Sequence, residues 1–348
     1  MEAQLIPELT RICQAVSIES PTEFSFAGRR APELNPTTKQ LQMLAPTQNL
    51  SIQRLQYLLY LYCYCQRFTG TLPDEPTPNG SPDSLLLDPS NSLLQELSEA
   101  NTSRERWDSS WQIYRIEPSG QIIAHKYGTT RRLWPGQFLI QDEHGIAPRV
   151  GANISVFLPK ESRTLQPGFY YAYGETVTDQ EDDYNLVRFY WNINEAGATT
   201  LLRRLTQDLN RFFVPFRLKC WTNWALFSRA DAAVLYVNKR FYQIAATLIA
   251  AAYPKLQEYL KPDTPLFTKP LAPGLGLAED PENGESFGSN CCRLIAEGIW
   301  NAYAQGSQTE QALLEEIVKQ FSHYGITLAR PYLSPGSIDQ YEFPNVCG

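Results

Sequence analysis

An α+β fold follows from three features of this sequence. The first hundred or so residues carry helical patterning broken by polar loops. From Trp111 the pattern changes to short alternating strands, and after Asn194 helices and strands interleave. The expected architecture is a mixed, largely antiparallel sheet packed with helices, plus a helical N-terminal region. On this reading the boundary falls between residues 1–105 and 106–348.

Taken in order, residues 20–48 are rich in Pro, Thr and Asn and read as a loop. Residues 51–67 begin at Ser51, a possible N-cap, and are apolar nearly all round, which predicts a buried helix. Residues 70–90 hold five prolines and the turn dipeptide Asn79-Gly80, which predicts an exposed loop. A short helix follows over about 91–103. Residues 111–117 and 121–128, joined through Pro118, Ser119 and Gly120, predict a hairpin. Further strands are predicted in 129–140, 152–160, 168–175 and 186–193. Leu201, Leu202, Leu205, Leu209 and Phe212 then recur at helical spacing. Strands at 215–221 and 232–237, a helix at 241–253 and two helices near 288–304 and 309–323 complete the pattern. No internal repeat is visible.

Composition bounds the function. The chain has 348 residues, 43% of them hydrophobic, with 19 tyrosines, which is ample material for a core. A net charge of −7 argues against a broad nucleic-acid surface, which needs basic residues to neutralise phosphates. No apolar run is long enough to predict a membrane span, and the N-terminus lacks the pattern of a secretory signal. Seven cysteines, an odd number without regular spacing, favour reduced thiols and a cytoplasmic location. Cys63-x-Cys65 and Cys291-Cys292 lack zinc-site spacing and only three histidines are present, so a structural metal is not expected.

The segment from Phe267 to Arg293 draws most attention. It sets Lys269, a glycine-rich irregular loop, an acidic turn and Ser286-Phe287-Gly288 ahead of a helix. A loop entering a helix in this way can offer backbone N–H groups and cations to an anion. Arg188 and Lys219, on strands, could add charge to the same place. Each has a plainer reading. Lys219 alternates with apolar neighbours, as a lysine on the solvent face of an edge strand would, or it is a base whose pKa falls on burial. Arg188, Tyr190 and Asn192 share one strand face, either a wet surface or the floor of a pocket. Lys269 beside Pro270 is the kind of loop lysine that faces solvent. Ser286 could simply cap the helix carrying Asn290 and Arg293, and Arg229 could pair with Asp231. Asp182-Asp183 and Glu279-Asp280 read as solvated turns, and His125, His144 and His323 as structural or exposed. The phosphate-loop, dinucleotide and nucleophile-elbow motifs are missing from the sequence.

Five ordered motifs carry a resemblance: VRFYWNI from Val187, LNRFFVPFRLK from Leu209, RADAAVLYV from Arg229, FTKPLAPGLGLAEDP from Phe267 and ESFGSNCCRLIAEG from Glu285. Over about residues 110–305 the chain resembles the Hop-type type III effector A family. Some members of that family resemble the lyase component that makes class V lanthipeptides and thioamide-containing peptides. The resemblance implies a carbon–oxygen lyase that eliminates phosphate from phosphoserine or phosphothreonine of a ribosomal precursor peptide. A separate kinase partner is implied, with no cofactor, nucleic acid or membrane. β-Elimination needs a base for the α-proton and cations for the leaving phosphate. Under the resemblance Lys219 is the base and Lys269 a further catalytic contact. Arg188, Arg293 and Arg229 hold phosphate, while Tyr190, Asn192, Ser286 and Asn290 position the peptide. The pattern departs at Asn290 and Cys291, where a basic residue is expected. The alternative is a non-catalytic effector-type protein that holds a phosphopeptide or partner protein in the same pocket.

Overall fold

The computed structural model describes residues 1–31, 50–72, 92–141 and 147–346. The expected loop over 70–90 lies, from residue 73 onward, outside the described residues, as do His144 and Cys347.

The N-terminal part opens with α1 (Glu2–Ala15) and a small antiparallel sheet of β1 (Val16–Ser20), β2 (Glu23–Phe26) and β3 (Arg29–Arg30). This corrects the loop expected from residue 20. Phe24 and Phe26 alternate on β2 and are fully buried, and Phe24 meets Trp300 edge-on at 5.3 Å. The expected long helix is α2 (Leu50–Leu59), which widens into a π-helical turn at Tyr60–Tyr64. Then comes α3 (Ser92–Ala100).

A five-stranded antiparallel sheet follows, built from β4 (Arg106–Ile116), β5 (Ile122–Lys126), β6 (Thr129–Leu133), β7 (Phe138–Ile140) and β8 (Asn153–Leu158), in the order β6-β5-β4-β8-β7. It has a small core of its own around Trp111, Ile122, Ala124 and Ile154.

The central sheet has seven strands: β9 (Glu161–Ser162), β10 (Phe169–Tyr173), β11 (Leu186–Trp191), β12 (Arg217–Trp221), β13 (Ala233–Asn238), β14 (Lys269–Ala272) and β15 (Leu275–Glu279). Their order is β14-β15-β11-β13-β12-β10-β9, and every pair is antiparallel. Four helices complete the fold: α4 (Ala198–Arg211), α5 (Tyr242–Ala252), α6 (Phe287–Ala304) and α7 (Glu310–His323). The α+β class read from the sequence is the observed one.

The β14–β15 hairpin corrects the irregular loop expected after Phe267. Gly274 takes φ +73° at its turn, a conformation open to glycine, and Leu275, Leu277 and Ala278 are buried against β11. Pro270 is tolerated because β14 is an edge strand.

Side chains alternate across the central sheet. On one face Val187, Phe189, Trp191, Leu218, Leu235 and Leu277 enter the main core, where Phe189 stacks on Tyr242 of α5 at 5.9 Å. The opposite face carries Arg188, Tyr190, Arg217, Lys219 and Tyr236. Helices α2 and α6 cover part of it, with the Phe287 ring 6.3 Å from both Tyr64 and Tyr190. The main core includes Leu9, Leu55, Tyr64 and Leu97 beside these sheet residues, so it runs continuously across the boundary expected near residue 105.

Candidate functional site

Register builds the site. Across β15, β11, β13, β12 and β10, one row reads Ala278, Arg188, Tyr236, Arg217 and Tyr173. The adjacent row reads Gly276, Tyr190, Val234, Lys219 and Tyr171. Antiparallel pairing therefore gathers cations and phenols from strands far apart in sequence onto one patch.

Tyr236 stands at the centre of this patch. The guanidinium carbon of Arg188 lies 5.3 Å from its ring and that of Arg217 lies 4.7 Å away. Lys219, one register row away on β12, lies near enough for its charge to act on the phenol. Burial alone raises the Tyr236 pKa, but the charges of Lys219, Arg188 and Arg217 outweigh it and hold the phenol below the ordinary tyrosine value. Tyr190 differs: burial dominates and pushes its phenol up, despite the neighbouring Arg188.

A cleft of about 540 Å³ opens between the five-stranded and central sheets, and Arg217 and Tyr236 form part of its wall. Tyr173, Thr176 and Asp182 also line it. A chain segment entering there would reach the patch from its solvent side.

The other approach is closed by α2. Its π-helical turn sets Tyr60 and Tyr64 with their rings stacked 5.4 Å apart. Such wide turns recur at functional positions because they displace side chains from the regular helical rows. Tyr60 donates to Asp231 at 3.3 Å, and the Arg229 guanidinium lies between the rings of Tyr60 and Trp221, at 5.2 and 5.1 Å. Arg229 holds Asp231 through two hydrogen bonds of 2.8 and 2.9 Å.

The expected site residues separate into three groups. Arg188, Tyr190 and Lys219 share one face of the central sheet, with Arg229 beside Trp221 at the end of β12. Arg188 nevertheless already donates to Asp280 through Nε at 2.9 Å and through a second nitrogen. Arg229 is likewise committed to Asp231, the plainer of its two readings. Asn192 adjoins the patch but donates to the Asp263 carbonyl, which fixes a loop.

Arg293 does not join the patch. It is buried in α6, where Nε donates to Glu285 at 2.9 Å and Nη1 to Glu297 at 3.0 Å. Its remaining nitrogen donates to Asn290, which also accepts from Asn283. The start of α6 is therefore occupied by its own carboxylate and amide groups, and Ser286 accepts from the Ser289 N–H as a helix cap. An anion seat at this helix end, expected from the sequence, is not what the structure forms.

Lys269 is on the wrong face. It pairs in register with Leu277, which shares the core side of the sheet with Phe189, and its ammonium holds Asp339 at 2.9 and 3.0 Å. Nor are Glu279 and Asp280 a solvated turn. Glu279 is buried and accepts from Tyr341 and Ser334, while Asp280 neutralises Arg188.

The sequence reading left Tyr236, Arg217, Tyr60 and Tyr64 without a role. Arg217 carried a readable signal, since it sits two residues from Lys219 and so on the same strand face. The other three carried none, because their relation to the patch is set by pairing across strands and by helix docking. Among the described residues no helix is long and apolar enough to cross a membrane.

The HopA1 effector protein family matches residues 160–333 of the chain, a span that holds the whole central sheet and its cations. Among solved structures, the chain is similar to the effector protein from Pseudomonas syringae pv. tomato strain DC3000. The identity is 16%, covering 85% of this chain and 95% of that one, with a TM-score of 0.44. It is also similar to the effector protein from Pseudomonas syringae pv. syringae strain 61, at 12% identity, 96% and 99% coverage and a TM-score of 0.42. No curated protein matches.

Proposed function

The chain belongs to the HopA1 effector protein family, and from that premise we propose that its central-sheet patch eliminates phosphate from phosphoserine or phosphothreonine in a peptide. A separate kinase would supply the phosphorylated precursor peptide, and dehydroalanine or dehydrobutyrine would remain. The observation that carries this reading is the convergence of Arg188, Arg217 and Lys219 on one phenol at the wall of an open cleft.

The chemistry suits those groups. A base removes the α-proton, the C–H electron pair becomes the second bond between Cα and Cβ, and the Cβ–O bond breaks with its pair leaving on phosphate. Among the described residues Arg217 and Lys219 form no ion pair with a carboxylate, so both are open to a phosphate dianion. Arg188, held by Asp280, contributes charge from a fixed position. The Lys219–Tyr236 pair faces the reacting carbon and supplies the proton acceptor.

A second reading keeps the patch as a phosphopeptide holder without turnover. It is favoured by the carboxylates already seated on Arg188 and Arg229, which suit a static binding surface.

Incubation of the full chain with synthetic phosphoserine and phosphothreonine peptides separates the two. Turnover appears as free phosphate together with the mass loss of one phosphoric acid, and Lys219→Ala abolishes it. Tight binding of phosphorylated over unphosphorylated peptide with no mass change supports the holder. A chain that neither converts nor prefers phosphopeptides refutes both.

A further inference from the structure

We propose that Tyr236 Oη, rather than the Lys219 amine, is the atom that accepts the α-proton; this rests on the lyase reading above. The argument begins from charge. Arg188 has Asp280 as its counterion, whereas Arg217 and Lys219 have no carboxylate partner among the described residues. Two unneutralised cations around a buried group favour whatever can become negative there. From β11 Tyr236 faces Arg188 and Tyr190, from β12 Arg217 and Lys219, from β10 Tyr171, and from the cleft wall Asp182.

Asp182 is already bound by Arg240. Burial and the neighbouring phenols push Tyr171 up, and burial does the same to Tyr190. Tyr236 alone among these phenols is drawn down, although burial opposes it, by the three cations around it. The Lys219 side chain beside this oxygen favours the phenolate form of Tyr236. It can hold that phenolate in place and neutralise the departing phosphate.

The step balances. Tyr236 Oη takes the α-proton and the C–H pair forms the double bond. The Cβ–O pair leaves on phosphate against Lys219 and Arg217, and the phenol afterwards returns its proton to phosphate or water.

Tyr236→Phe is the test, because it removes one oxygen and keeps the ring between the two guanidinium groups. Elimination should fall about 10²–10⁴-fold, the range of a lost proton-transfer group, with phosphopeptide affinity retained. In the wild-type chain kcat/KM should rise along a limb below the ordinary tyrosine pKa of about 10, and the variant should lack that limb. A Tyr236→Phe chain that eliminates as fast as wild type overturns the assignment while leaving the lyase reading intact. A wild-type chain inactive on a phosphopeptide pool of randomised flanks sinks the lyase reading instead. Tyrosinate difference absorbance of wild type minus Tyr236→Phe then still decides the phenol. Ionisation below the ordinary tyrosine range supports its activation, and ionisation within or above that range refutes it.

Discussion

Arg188 and Arg293 are buried and Arg229 is largely so, and each has acquired a carboxylate before any ligand arrives. An unpaired buried charge is costly enough that folding supplies a counterion from the chain itself. Under the proposed function, phosphate would therefore meet the half-buried cations that form no ion pair with a carboxylate among the described residues, Arg217 and Lys219. Arg217→Ala should weaken phosphopeptide binding by about 1.5–3 kcal/mol, the range for a hydrogen bond to a charged group. Titration with phosphorylated and unphosphorylated peptide checks this, and equal losses for both would remove Arg217 from the phosphate seat. Lys269→Ala should leave elimination intact and cost at most about 1 kcal/mol of stability, since its pair with Asp339 is partly solvated. A large loss of turnover in that variant would mean that the core side of the sheet takes part in the chemistry.

At the scale of elements, the site is made where α2 and α6 close on the sheet. Gly288, in the first turn of α6, is the contact that permits it. A Cβ built there would stand 2.2–2.5 Å from atoms of the Tyr64 ring, closer than packed atoms approach. Gly288→Ala should push the Tyr60–Tyr64 turn off the sheet and cost about 1–3 kcal/mol, the usual penalty of overpacking. Thermal unfolding would register that cost, and an unchanged melting temperature would show the turn to be freely adjustable. The five-stranded sheet contributes differently, by forming the far wall of the cleft from a core of its own.

For the whole molecule, the Arg229–Asp231 pair fastens the π-helical turn after α2 to the sheet through Tyr60, and it is sensitive to acid. Burial raises the Asp231 pKa, but the charge and hydrogen bonds of Arg229, helped by Lys219 and Tyr60, leave it below the usual carboxylate range. A carboxyl whose folded pKa is depressed stabilises fully above its unfolded value, about 3.9 for aspartate, and loses that contribution as pH falls through the folded value. Melting temperature should accordingly drop below about pH 4, in the range where carboxylates titrate. Asp231→Asn should lower stability at neutral pH by about 3–5 kcal/mol, because it strands Arg229, and should flatten the acid limb. An acid limb unaltered in that variant would assign it to other carboxylates, Glu279 first. Local pattern fixed much of the architecture: α4 from its leucine spacing, the β4–β5 hairpin from its turn, and the α+β class from the change of periodicity. Pattern also put Arg188 and Tyr190 on one face of β11, because side-chain alternation is a property of a single strand. Which of that strand's faces is the core was open until Phe189 met Tyr242, and which cations meet was set by cross-strand register. The β14–β15 hairpin, the reversal of Lys269 and the central place of Tyr236 came only with tertiary structure, because partner choice between distant strands depends on burial summed over the entire sheet.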